Sequence, residues 1–201
     1  MRIIKINPFE QPEIVKRIVL VYQQAFGGEP WNEGYLCPVC EKMFARTPKI
    51  KTCSLCAEQS QTVLVVECWP MSKVVSDFYR EMKKPDPICV TVQSDGKVIG
   101  FAWGYRVFAD SDINGHLDAP NLHELLRDDF FYLDECALAP AYQGRGIGKL
   151  LVNYTFREQQ QKQILLRTMN NSRMYNLIKH MGGEIIQHIS HGRVIMKLLT
   201  L

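Results

Sequence analysis

Apolar positions recur along this chain with two different periods, and where each period holds it marks out an element. Residues 2–7 read as a short strand. Pro12 suits the opening turn of a helix, where a missing N–H costs nothing, and Ile14, Ile18, Val21, Tyr22 and Ala25 then fall on one side of it. Gly27 and Gly28 end that helix. Met71, Val74, Val75, Phe78 and Met82 make the apolar side of a second, closed by Lys83-Lys84-Pro85. Two extended runs, 88–93 and 97–108, flank Ser94-Asp95-Gly96, an Asp-Gly hairpin signal. A polar connection follows over 109–129, with a short helix expected at 121–127. Residues 130–138 return to an apolar strand-like run, and Ile147, Leu150, Leu151 and Tyr154 resume helical spacing to about residue 161. A strand at 164–167 is next. After Asn171 comes a helix with Met174, Leu177, Ile178 and Met181 on its apolar side, ended by Gly182-Gly183. The runs 184–188 and 194–199 close the chain as a hairpin across His191-Gly192. Interleaved strands and helices of this kind predict a mixed α/β domain.

Composition narrows the class. A chain of 201 residues can fill one core and carry a small appendage. Its hydrophobic fraction of 46% and charged fraction of 22% are ordinary for a soluble domain. The net charge of +3, from dispersed Lys and Arg, does not argue for nucleic acid. Lys5 and Pro8 interrupt any signal-like core, and no apolar run approaches the roughly 20 residues of a membrane span, so no membrane partner is expected. The cytoplasm is the expected compartment. Seven cysteines, an odd number, do not suggest a secreted disulfide framework.

Four of those cysteines form a pattern. Cys37-Pro-Val-Cys40 is followed, after twelve intervening residues, by Cys53-Ser-Leu-Cys56. Two CxxC turns each offer two thiolates from one tight loop, and together they make a closed S4 cage suited to structural zinc. The spacing excludes neither iron nor two redox-active dithiols. The stretch between the pairs is too short to build a core, so metal would supply its folding energy. Residues 35–60 are read as a zinc-ribbon-like insertion. Such modules also dock on nucleic acid or protein, but here the basic residues Lys42, Arg46, Lys49 and Lys51 are few, and only Phe44 could stack on a base.

The most informative stretch runs from the strand at 130–138 through Pro140 into a turn with Gly144, Gly146 and Gly148, then a helix. Glycines let the backbone approach a ligand, and the first amides of a helix have no internal partner, so the turn offers a row of N–H groups to an anion. Arg145 and Lys149 add positive charge. Neither GxGxxG opening a βαβ unit nor GxxxxGK[ST] fits the spacing.

Gln143, Gly144, Arg145, Gly146, Ile147 and Gly148 resemble the Q/R-x-x-G-x-G/A segment of the GNAT superfamily of acyl-CoA-dependent acyltransferases. The resemblance implies a mixed central sheet flanked by helices over 1–201, interrupted by the cysteine insertion. It implies acetyl-CoA as co-substrate, its pyrophosphate on residues 143–149, and a backbone N–H among Cys136, Ala137 and Leu138 aimed at the thioester. It implies direct transfer to an amine, small-molecule or peptide, and leaves a homodimer open. Trp31 and Glu33, in a Pro-Trp-Asn-Glu run, resemble an acceptor-side segment, the alternative being Trp31 as a core plug and Glu33 as a cap.

Glu135, a carboxylate inside an apolar strand, is the candidate general base, with an ion-pairing role left open. Strand alternation sets it and Asp134 on opposite faces. Cys136 reads as a small buried side chain rather than a nucleophile. Aligned on Gly182, Asn171 takes the place of the asparagine the family sets near the coenzyme. Ile178 stands where the family has a thiolate-protonating tyrosine and Gly183 where it has a phenylalanine; Tyr175, one turn earlier, is the candidate substitute acid, the alternative being departure of the thiol with help from water or with no acid. The rival reading is a non-catalytic acyl-CoA-binding protein, or one that docks on partners through the metal module.

Overall fold

The protein is seen here as a computed structural model that describes residues 1–46, 51–108 and 128–199. Strand β1 (Arg2–Lys5) leads into α1 (Pro12–Phe26), which opens on its proline as expected. A small sheet then interrupts the chain: β2 (Tyr35–Leu36), β3 (Met43–Phe44) and β4 (Val66–Glu67), with α2 (Ser54–Glu58) between β3 and β4. The remaining elements are α3 (Met71–Glu81), β5 (Ile88–Ser94), β6 (Lys97–Val107), β7 (Phe130–Leu138), α4 (Ile147–Glu158), β8 (Gln163–Met169), α5 (Arg173–His180), β9 (Glu184–His188) and β10 (Arg193–Leu199). Residues 109–127, with the short helix expected there and His116 and His123, lie outside the described residues, as does Lys49.

Seven strands make one sheet in the order β1-β5-β6-β7-β8-β10-β9. Asp95 and Gly96 both take the left-handed conformation that a tight hairpin turn between β5 and β6 needs. The apolar faces of α1 and α3, through Ile18, Val19, Tyr22, Val74 and Phe78, pack on Phe101 and Trp103 on one side of the sheet. On the other side Leu151, Val152 and Phe156 of α4 and Ile178 of α5 pack on Val90, Phe131, Leu133 and Leu166. The fold is therefore the expected central sheet with helices on both faces.

Two features depart from the sequence reading. The small sheet ends at Glu67 rather than near residue 60, because β2 pairs with β4 on one side (Tyr35 opposite Glu67) as well as with β3 on the other. The second departure is in β7. Trp103 of β6 lies opposite Glu135, while the next residue, Gly104, lies opposite Leu133, so Asp134 is an extra residue, a β-bulge. Alternation breaks there. Leu133 and Cys136 face α4 and α5, whereas Glu135 and Asp134 bond to Tyr22 and Trp103 on the α1 side. The expectation that the two carboxyls point to opposite faces is corrected accordingly.

Candidate active site

The parallel pairing of β7 with β8 is confined to Phe131 opposite Ile164 and Tyr132 opposite Leu165. Beyond that the two strands part and open a cleft of about 1010 Å³, lined by Leu133, Glu135 and Leu138 of β7 and by Leu166, Arg167 and Thr168 of β8. Among the described residues, the C-terminal half of β7 thus has one backbone edge with no strand beside it.

At the end of β7 a single 3₁₀ turn, Pro140–Tyr142, carries the chain into the glycine loop. Gln143 donates from Nε2 to the Leu138 carbonyl oxygen at 2.9 Å and pins the loop to the strand. Gly144 and Gly146 have φ of 75° and 78°, a region that costs a residue with a Cβ about 1 kcal/mol or more. Gly146 is the N-cap of α4 and has no side chain to cap the helix, so the first-turn amides remain available to a ligand.

The structure gathers most of the sequence candidates around the cleft: Glu135, Cys136, Ala137, Leu138, Gln143, Gly144, Gly146, Gly148, Lys149, Asn171 and Trp31 all line it. Three do not. Ile147 sends its side chain into the core, leaving only its amide for a ligand. Arg145 is exposed, with its guanidinium 5.7 Å from the Tyr142 ring. Tyr175 is partly buried beside the α4 core with Lys179 Nζ 5.5 Å from its ring, so its assignment as the acid gains nothing from the geometry. Glu33 is buried at one end of the site, where it accepts from Trp69 Nε1 at 2.9 Å and from Arg193 Nη2 at 3.4 Å. Arg167 and Arg173 were not singled out by sequence. Arg173 lies against the glycine loop, since a Cβ on Gly144 would come within 3.2 Å of its Nη1.

Three carboxyls set the electrostatics of the α1 side. Asp134 is pushed up to about 6, first by burial and then by the charge of Glu81, against the pull of Trp103 Nε1–H (3.1 Å), Lys84 and Arg167. Burial, followed by the charges of Asp134 and Glu33, holds Glu135 well above the ordinary carboxylate range, opposed by the Tyr22 hydroxyl at 3.2 Å and by Arg167. Glu33 is raised as well, by burial. Neighbouring buried carboxyls cannot all ionise, so Asp134 and Glu135 titrate as a pair. Cys136 is pushed up to about 12, by burial and then by Glu135, which favours its protonated thiol.

In the small module Cys37, Cys40, Cys53 and Cys56 bring their sulfurs within 4.8 Å of one another. Cys37 and Cys56 stand 3.7 Å apart, and Cys40 and Cys53 3.5 Å apart. A tetrahedron with Zn–S bonds of about 2.3 Å has edges of about 3.8 Å, so the donor set fits zinc. The Cys56 amide points at Cys53 Sγ at 3.5 Å, as a donor to a thiolate would.

Residues 54–182 match the profile of the acetyltransferase (GNAT) family. Among solved structures, PH1933 from Pyrococcus horikoshii OT3 is similar over 100% of this chain and 98% of its own, with 14% identity and a TM-score of 0.60. The PaiA N-acetyltransferase of Thermoplasma acidophilum, solved with coenzyme A, is similar over 99% and 98%, with 12% identity and a TM-score of 0.54. YncA from Salmonella typhimurium, solved with acetyl-CoA, is similar over 99% and 93%, with 11% identity and a TM-score of 0.56. At such identities the likeness concerns the fold. A search of curated sequences returns no significant match.

Proposed function

Since the chain belongs to the GNAT acetyltransferase family, we propose that it moves the acetyl group of acetyl-CoA to a primary amine by direct attack, with a structural zinc on Cys37, Cys40, Cys53 and Cys56. In this reading residues 1–201 are one acyltransferase domain interrupted by the metal module. The coenzyme's pyrophosphate rests on the amides of residues 143–149, helped by Lys149 and Arg173. Its pantetheine arm runs along the open edge of β7, and Asn171 borders it. A β7 amide among Cys136, Ala137 and Leu138 stabilises the oxygen of the tetrahedral intermediate, a kind of contact whose loss commonly costs about 10²–10³ in rate.

The amine arrives protonated and must lose a proton before it attacks. Glu135 and Asp134 take it as a unit: burial raises both carboxyls, the charge of Asp134 raises Glu135 further, and Glu135, beside the Tyr22 hydroxyl, is the base with Asp134 tuning it. The N–C bond forms, the C–S bond breaks, and coenzyme A leaves as a thiolate. With an ordinary thiol pKa near 8.5 that departure needs no acid, which suits a helix carrying Ile178 in place of tyrosine. The raised Cys136 thiol argues against an acyl-cysteine intermediate.

The observation that carries this reading is the parting of β7 from β8 beside a bulge that keeps two carboxyls on one face. Coenzyme A release measured against a panel of amines tests it. Amine-dependent release, lost in Glu135→Gln while coenzyme A still binds, is expected. Coenzyme binding without turnover by any amine would overturn it in favour of a binding protein. One observation favours docking as a second role, since Val39, Met43, Leu64 and Val66 of the metal module are apolar and exposed.

A further inference from the structure

We infer that the cysteine module is a brace for the acceptor wall of the cleft: metal on its four sulfurs fixes segment 27–34, and with it Trp31 and Glu33, while leaving the coenzyme loop untouched. The inference rests on the zinc reading above.

Segment 27–34 leaves α1, contributes Glu29, Pro30 and Trp31 to the cleft, and runs directly into β2. On its helix side it is held by Glu33 N–H to the Phe26 carbonyl oxygen at 2.9 Å. Both of its ends are held by the module. The Arg46 amide donates to the Gly27 carbonyl oxygen at 2.6 Å, the Gly34 amide to that of Phe44 at 2.9 Å, and the Cys68 amide to that of Gly34 at 3.2 Å. Trp69, just past β4, bonds the Glu33 carboxylate and accepts at its carbonyl from Gln23 of α1.

The fit has no clearance. A Cβ on Gly34 would lie 2.3 Å from the Arg46 nitrogen, and one on Gly27 would lie 2.8 Å from the Arg46 Cβ. Arg46 is itself stapled to Glu67 of β4 at 2.9 Å.

Among the described residues of the module nothing else is strong enough to hold this geometry. Its strands are two residues long, and its buried cluster consists of Cys37, Cys53 and Cys56 with Cys40, Phe44, Val63 and Val65 partly covered around them. So small a sheet does not stand alone, and a metal bound to the folded form supplies its stability. When the metal leaves, the contacts at Gly27 and Gly34 loosen with it. The coenzyme loop is anchored through α4, whose core lies on the opposite face of the main sheet, while Ala139 and Tyr142, just before the loop, touch the α1-side cluster. Metal occupancy therefore governs the acceptor wall separately from the coenzyme site.

Hydrogen exchange on the zinc-loaded protein, the chelator-stripped protein and zinc-loaded Gly34→Ala tests this, with calorimetry of free coenzyme A on each. Gly34 does not have positive φ, so its substitution acts by collision with Arg46 and leaves the cysteines alone. Stripping is expected to speed exchange at Glu33 and Gly34 by about tenfold or more, with coenzyme A affinity kept within about twofold. Gly34→Ala is expected to do the same with zinc still bound. Exchange at Glu33 that is unchanged in both samples would overturn the brace, and so would a loss of coenzyme affinity that tracks the loosening. Failure to bind zinc sinks the zinc reading and the metal's part in the brace together, whereas zinc binding with unchanged exchange at Glu33 sinks the brace alone.

Discussion

Replacing Asp134 with Asn should stabilise the fold at neutral pH while it slows turnover. Burial and the charge of Glu81 lift this carboxyl from the ordinary 3.8 to about 6. Below the unfolded value the group is protonated in both states and makes no difference to stability. Above about 6 it is ionised in both, and the folded state bears the whole cost. The wild type therefore loses stability as pH rises from about 4 to about 6. At about 1.4 kcal/mol per pH unit the loss approaches 3 kcal/mol. Asn carries no charge and can still accept from Trp103 Nε1 through its amide oxygen, although a hydrogen bond to a charged acceptor is stronger by about 1 kcal/mol. A net gain of about 2 kcal/mol at pH 8 remains, or about 4–8 °C in Tm for a chain of this size. Glu135, freed of its neighbour's repulsion, adds in the same direction. Urea melts of both proteins, metal-loaded, from pH 4 to 8 would measure the gap. It should be near zero at pH 4 and widen with pH. A gap that stays flat or narrows as pH rises would refute the reasoning, and undiminished amine-dependent coenzyme A release would remove Asp134 from the chemistry.

Three further outcomes can be checked. Gly146→Ala meets no atom within 4 Å, so it should cost only backbone strain, about 1 kcal/mol, and weaken coenzyme A binding severalfold by turning the α4 amides, as calorimetry would register. Cys37→Ser should abolish stoichiometric zinc and lower Tm, and a variant that keeps its metal by elemental analysis would count against the S4 site. Tyr175→Phe should leave the pH–rate profile of coenzyme A release as it was, because the residue lies away from the cleft; a lost alkaline limb would restore it as the acid.

The strand at 130–138 and the helix opened by Pro12 were legible because local patterning and backbone chemistry pointed the same way. The cysteine quartet and the glycine loop were legible because each is a short motif of residues close in sequence. What could not be read is whatever depends on distant pairing. The end of the metal module at Glu67 follows from its registry with Tyr35, thirty-two residues earlier, and the Glu33–Trp69 bond spans the whole module. Arg167 and Arg173 belong to no motif, and only the folded cleft singles them out.

Asp134 is the instructive failure. Alternation presumes an unbroken ladder, and the clue to the break lay on another strand. Gly104, inside an otherwise apolar run, faces Leu133, and a Cβ there would lie 2.2 Å from the Tyr132 carbonyl oxygen and 2.6 Å from the Phe131 ring. A glycine in mid-strand often marks a bulge or a close backbone approach. A bulge also bends its strand and increases its twist. This one falls two residues beyond Tyr132, the last β7 residue paired with β8, so a single inserted residue accounts both for the opening of the cleft and for the two carboxyls that face one side of it.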